Sequence, residues 1–153
     1  MTQLKIKWKD WVLVCDGAKA LFLRNDGDAE ILNLVLVHET AEPVEATRAL
    51  GSDRPGRVYA SEGGARSAVE AVDLHEKAEE DFLAATAAQL DAFVHDGTIS
   101  HLTLIAPPKA LGILRKHIGP SGRAAITAEL AKDLTKLPID EIETRLRSET
   151  TKA

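Results

Sequence analysis

The sequence predicts a single α/β domain in which helices pack on a mixed β-sheet of about five strands. Three patterns predict this fold class: two Asp-Gly turns between short apolar runs, one long helical pattern, and a later strand–helix–strand pattern. The chain has 153 residues, a length that suits one domain with one core. We therefore expect one domain over residues 1–153, with its core at about 11–146.

The first part of the chain predicts an antiparallel meander of three strands. Asp-Gly pairs followed by β-rich sequence are typical of hairpin turns, and here the pair occurs twice. The first strand is the most apolar, so we expect it in the centre of the sheet. The expected strands are Trp11–Cys15, Lys19–Asn25 and Glu30–His38, with Asp16-Gly17 and Asp26-Gly27 between them.

The second part of the chain predicts alternating helices and strands. Asp73 and Glu76 resemble a capping box, so a helix is expected to begin there and to end at Gly97. Right-handed crossovers then favour the strand order 3-2-1-4-5, as in a ribonuclease-H-like sheet. The later elements are expected to be a buried strand within 100–108, a short helix with Leu111, Leu114 and Ile118 inward, a strand at 124–130, and a final helix opened by Pro138.

A long segment rich in Gly and Arg, at about 41–73, separates the meander from the first expected helix. Loops of more than about a dozen residues inside a compact domain are normally functional or disordered. We therefore expect this segment to be mobile and take it as the first place to look for a site.

The sequence lacks the residues that several kinds of catalysis require. A two-metal nuclease needs converging carboxylates, but Asp16 is the one acid at the end of the first strand, and the buried strand within 100–108 ends without any. If the helix begins at Asp73, Glu76, Glu79 and Glu80 lie in its first turns, where the helix dipole favours acids. Their presence there is explained without a catalytic role. The five histidines are spread over different elements, and no Walker loop, dinucleotide fingerprint or nucleophile elbow is present. We expect no metal and no cofactor.

The charge balance places limits on nucleic-acid binding. The formal net charge is −5, so any RNA contact must be local. The long segment contains Arg54 and Arg57, and residues 107–123 contain no acid. These clusters could contact phosphates, although a solvated surface remains the alternative. The cations of residues 107–123 are Lys109, Arg115, Lys116 and Arg123.

The order of motifs from about residue 11 to 146 resembles the bacterial host-attachment protein family, which is described as required for attachment to host cells. The motifs that carry the resemblance are "VLVCDGAKALFLRN", "SDRPGRVY", "LHEKAEEDFLAATAAQLDAF", "LTLIAPPKALGILRKHI" and "AELAKDLTKLP".

The host-attachment family is in turn similar to the middle domain of archaeal and eukaryotic class-one release factors, a ribonuclease-H-like fold. The stretch "EGGARSAVEAVDLHEKAEEDFL" resembles the Gly-Gly-Gln loop of those factors running into its long helix, and Gly63 and Gly64 match the two glycines. Ala65 stands where those factors have glutamine, and the loop contains no glutamine at all. This departure disfavours peptidyl-tRNA hydrolysis by the release-factor route.

Three functions follow from these expectations. The first is a noncatalytic protein that binds the ribosome or another structured RNA, with Arg54, Arg57 and Arg66 on phosphates. The second is a protein-interaction factor that affects host attachment indirectly, and the third, disfavoured one is an RNA or peptidyl-tRNA hydrolase. The amino terminus lacks a signal peptide and no apolar run has the length of a membrane span, so a cytoplasmic location without membrane contact is expected. The oligomeric state stays open.

Overall fold

The structure is a computed structural model that describes the backbone of residues 4–42 and 60–150, and the side chains of residues 4–42 and 74–149. Five strands form one sheet in the order β3-β2-β1-β4-β5, as the sequence predicts. β1 pairs antiparallel with β2 and parallel with β4, so the meander and the parallel part of the sheet meet at β1. The strands are β1 (Trp11–Cys15), β2 (Lys19–Asn25), β3 (Leu34–Ala41), β4 (Leu102–Ala106) and β5 (Ile126–Ala131).

Four helices lie in the described part of the chain and cover both faces of the sheet. They are α1 (Ala60–His95), α2 (Pro108–His117), α3 (Pro120–Ala125) and α4 (Ile139–Thr150). On one face, α1 and α2 pack against Leu13, Phe22 and Leu104. On the other face, α4 packs against Val12, Val14 and neighbouring apolar side chains. The domain therefore has three layers, with the sheet in the middle.

The inward side chains expected for the short helix are confirmed, because Leu111, Leu114 and Ile118 are buried on α2 and directly after it. On α1, Leu83, Ala87 and Leu90 are buried. Gly97 adopts φ 87° directly after α1, a left-handed conformation that glycine accepts without strain and that ends the helix where the sequence predicts.

α1 begins at Ala60, well before Asp73, so the expected capping box at Asp73 and Glu76 is wrong. Residues 60–73 belong to the helix, and the expected loop over about 41–73 is shorter by that stretch. Alanine and glutamate favour helix here, and two glycines cost only about 1 kcal/mol each relative to alanine. The remaining segment, 43–59, lies outside the described residues.

Two strands begin later than expected, and β3 also ends later, at Ala41 rather than His38. β3 begins at Leu34 rather than Glu30, because the Asp28 carboxylate accepts the N–H groups of Glu30 and Ile31 and folds them into a turn. β5 begins at Ile126 rather than at 124, because Pro120 starts the unexpected helix α3. The Asp91 carboxylate of α1 fixes this helix by accepting the N–H groups of Gly119 (2.8 Å) and Gly122 (3.0 Å).

Cys15 is fully buried at the end of β1, and its thiol is free. Desolvation by burial, with a smaller effect of the neighbouring Asp16 carboxylate, raises the pKa of this thiol to about 12. We expect the native protein to be inert to Ellman's reagent at about pH 8, since the thiolate is the reactive species.

The same protein unfolded in guanidinium should release one equivalent of thionitrobenzoate, because the chain has a single cysteine. Rapid labelling of the folded protein, at a rate close to that of the unfolded chain, would contradict this account of Cys15.

Candidate functional site

The amino-terminal part of α1 extends beyond the sheet. Glu79 lies at the carboxyl ends of β1 and β4, where its side chain borders Gly17 and its carboxylate is 3.8 Å from the Lys109 ammonium. Leu83 is the first buried side chain among those described on α1. Residues 60–78 continue the same helix past this edge, over about 28 Å at 1.5 Å per residue. We call residues 60–78 the arm.

The arm contains three of the residues singled out in the sequence. Gly63, Gly64 and Arg66 lie in the first two turns of α1, at the end of the arm farthest from the sheet. The glycine pair is therefore part of a helix and not of the expected loop. Arg54 and Arg57 lie outside the described residues.

Two of the cations within residues 107–123 lie close to acids of other elements. Lys109 faces Glu79 of α1 at 3.8 Å, and the Arg115 guanidinium contacts one Glu129 carboxylate oxygen of β5 through two nitrogens, at 2.6 and 3.2 Å. All four of these side chains are partly exposed, so each pair stabilises the fold by at most about 1 kcal/mol. The stretch has no acid in its own sequence, yet much of its charge is compensated in space.

Arg123 and Lys116 differ from these pairs. The Arg123 guanidinium donates to the carbonyl oxygens of Arg115 (2.8 Å) and Ile118 (3.3 Å), so it caps the carboxyl end of α2. Lys116 is exposed and makes no ion pair with any residue that the structure describes. Of the four expected cations, Lys116 is the one left available to an anionic partner.

Glu79 and Glu80 have roles that the sequence alone did not suggest. Because α1 begins at Ala60, these residues lie in the middle of the helix, and the expected dipole interaction does not explain them. Glu79 faces Lys109, and the Glu80 carboxylate is 3.2 Å from His117 Nε2. Both acids join α1 to α2 beside the base of the arm.

A cavity of about 260 Å³ opens at the base of the arm, at the carboxyl ends of the parallel strands β1 and β4. Ligands of open α/β sheets commonly bind at such strand ends. The wall combines one lysine and two acids with an apolar floor. Its lining residues are Asp16, Gly17, Ala18, Glu79, Leu83, Pro107, Lys109, Ala110 and Ile113.

The Asp16 carboxylate in this cavity has structural partners. Its Oδ1 accepts the N–H groups of Ala18 and Lys19, both at 2.9 Å, and its Oδ2 accepts the hydroxyl of Thr135 at 2.7 Å. These bonds hold the β1–β2 turn and attach it to the segment before α4. Among residues 4–42 and 74–149, no group of three acid, histidine or cysteine side chains could hold a metal ion.

A known protein family matches this chain over most of its length. A family model described as "Bacterial archaeo-eukaryotic release factor family 12" matches residues 9–146. The match confirms the release-factor part of the sequence resemblance. The chain has no match among curated proteins. No helix in the described part of the chain is long and apolar enough to cross a membrane.

If Asp16 is a structural residue, its removal should cost stability. We expect Asp16→Ala to lower the free energy of unfolding by about 2–3 kcal/mol, since three donors lose their acceptor, and Thr135→Ala to lower it by about 1 kcal/mol. Urea denaturation of both variants and of the double variant measures these losses.

The double variant should lose less than the sum of the two single losses, because both substitutions remove the same hydrogen bond. An Asp16→Ala variant as stable as the wild type would contradict the structural role.

Proposed function

The chain belongs to bacterial archaeo-eukaryotic release factor family 12, and from this membership we propose that it binds the ribosome or another structured RNA without catalysing a reaction there. The observation that supports the proposal most directly is the arm. Residues 60–78 extend α1 by about 28 Å past the edge of the sheet, which gives the protein a narrow element able to enter an RNA-lined space.

The chemistry proposed for the arm and the preceding segment is phosphate recognition. Arg54, Arg57 and Arg66 supply guanidinium groups, which match phosphate oxygens in a bidentate geometry. At the base, Lys116 adds an exposed and unpaired cation among the described residues. In this proposal Lys109, Arg115 and Arg123 position the base of the arm through their contacts within the fold, and make little contribution to binding.

Catalysis is left out of the proposal for a chemical reason. The resemblance to release factors places a glutamine after the two glycines, and this chain has Ala65. An alanine methyl can neither donate nor accept a hydrogen bond, so it cannot orient a water molecule. Binding through the arm needs neither a metal nor a cofactor.

A second candidate function is docking of a protein partner on β3, which would agree with an indirect role in host attachment. β3 is an edge strand of the sheet, and its side chains Val35, Leu36 and Val37 are each exposed by 36% or more. Edge strands with exposed apolar side chains can pair with a strand of another chain. The hydrolase alternative would need turnover that is lost when Gly63 or Gly64 is replaced.

Sedimentation of the tagged protein in a cell lysate tests the RNA proposal. We expect the wild type to migrate with ribosomal particles at low salt and to leave them as salt rises, because phosphate contacts release counterions. The Arg54→Ala/Arg57→Ala variant should stay near the top of the gradient. Lys136→Ala/Arg145→Ala removes the same charge from exposed positions in or near α4 and should behave as the wild type. A wild type that remains at the top at low salt would overturn the proposal.

The glycine pair gives a separate test of the arm. Replacing both Gly63 and Gly64 by alanine should raise the helix content seen by circular dichroism, since each glycine costs about 1 kcal/mol in a helix interior. We expect ribosome association to weaken in this variant, because alanine side chains prevent the close backbone approach to RNA that glycine allows. Unchanged association together with higher helicity would show that the pair has no part in binding.

A further inference from the structure

An exposed tryptophan and a strained lysine share one turn at the end of the sheet opposite to the arm. Residues 7–10 form this turn directly before β1. Trp8 is 61% exposed, and the Lys9 ammonium lies 4.7 Å from the centroid of the Trp8 ring. Lys9 has φ 71°, a left-handed conformation that is uncommon for residues other than glycine. Strain of this kind, costing about 1–2 kcal/mol, is often found at functional sites.

Hydrogen bonds to the buried Asn25 and to Asp10 hold the turn in this conformation. The side-chain amide of Asn25, a fully buried residue, donates to the carbonyl oxygens of Ile6 (3.2 Å) and Lys7 (3.1 Å). The Lys9 N–H donates to the Asn25 carbonyl at 2.7 Å, and the Asp10 carboxylate accepts the Lys7 N–H at 3.0 Å. The turn is therefore a rigid platform that presents the Trp8 ring to solvent.

A groove of about 680 Å³ lies beside the platform, between the turn and the segment 97–101 that precedes β4. A second cavity of about 250 Å³ adjoins it and shares Asp10 and His101 with it. Together they form one polar surface across the amino ends of β1, β4 and β5, which we call the Trp8 surface. The residues lining it besides the turn include Lys5, Arg24, Asp26, Thr98, Ser100 and Thr127.

Positive charge on this surface is only partly compensated. Asp26 is engaged by the Arg24 guanidinium through two bonds of 2.7 and 3.3 Å, which lower the pKa of that carboxyl. Asp10 is 82% buried and accepts the Lys7 N–H, with His101 3.8 Å away. Next to the groove, Asp96 accepts the N–H of Thr98 at 2.9 Å. Lys5 and Lys7 make no ion pair with any residue in the described ranges, whereas Lys9 lies over the Trp8 ring and its charge helps to lower the pKa of Asp26.

We propose that the Trp8 surface binds single-stranded nucleic acid, with a base stacked on the Trp8 ring and phosphates on Lys5, Lys7 and Lys9. An exposed aromatic ring between cations is the combination that single-strand binding proteins use. The groove adds hydroxyl groups, an imidazole and a guanidinium, which can hydrogen-bond base edges. A concave polar wall beside one tryptophan suits an unstacked base better than it suits a flat lipid surface.

This site is independent of the arm. The arm leaves the carboxyl edge of the sheet, whereas the Trp8 surface lies at the amino ends of the strands. A chain with both surfaces can contact one RNA, or two RNAs, at opposite ends.

Fluorescence anisotropy of labelled oligonucleotides of about 12 nucleotides, oligo(U) and oligo(dT), tests this proposal with the full-length protein. If both oligonucleotides bind, the surface accepts single strands in general; if only oligo(U) binds, the surface selects RNA. Each of these results supports the proposal if Trp8→Leu weakens the affinity about tenfold, as expected for loss of stacking. Replacing Lys5, Lys7 and Lys9 by alanine should weaken affinity at least as much and flatten the salt dependence by about two units of slope.

A matched control separates the surface from general charge. The triple variant Lys132→Ala/Lys136→Ala/Arg145→Ala removes the same charge from exposed positions outside the Trp8 surface and should keep the wild-type affinity for the oligonucleotides. Lys9→Gly removes the left-handed strain, so its urea midpoint should not fall, while its affinity drops several-fold.

Three results would overturn the proposal. The first is no anisotropy change at low salt. The second is an affinity that Trp8→Leu and the Lys5, Lys7 and Lys9 substitutions leave unchanged. The third is co-sedimentation with vesicles of phosphatidylserine and phosphatidylcholine without oligonucleotide binding, which would make the surface a lipid contact.

Discussion

The burial of β1 on both of its faces is the constraint on which the rest of the domain depends. Alternate side chains of this short strand enter opposite layers: Leu13 and Cys15 face α1 and α2, and Val12 and Val14 face α4. A strand covered on both faces must also be paired on both edges, because its backbone groups have no water to bind. β2 and β4 supply this pairing, so the central place of β1 fixes the strand order, the three layers and the two ends of the sheet.

Local chemistry was enough to predict most of the fold. The strands at 11–15 and 19–25 are bounded by turn residues and have apolar runs of the right length, so their limits are confirmed. The start of α1 was missed because Asp73 and Glu76 imitate a capping box inside a longer helix, and the glycine pair suggested a break. Helix α3 was missed because it depends on Asp91, a residue far away in sequence, which accepts the N–H groups of Gly119, directly before the helix, and of Gly122, in its first turn.

The candidate site was less predictable, because charge in space differs from charge along the sequence. Residues 107–123 contain no acid, yet Glu79 and Glu129 arrive from α1 and β5 to meet Lys109 and Arg115. No local pattern contains that information. The Trp8 surface was missed because its residues come from residues 5–11, β2, the segment before β4 and β5, and share no motif. The available signal was Trp8 itself, which lies within the basic residues 5–9 and outside the predicted strands.

Photochemical crosslinking of the protein to RNA in living cells, with mass spectrometry of the nucleotide-modified peptides, tests the central claim most directly. The claim is that this member of a release-factor family contacts RNA through the segment before α1 and through the amino-terminal end of α1. The account predicts nucleotide adducts within residues 54–66, on a protein recovered with ribosomal RNA. Efficient recovery of the protein without any nucleotide adduct in that segment would contradict it.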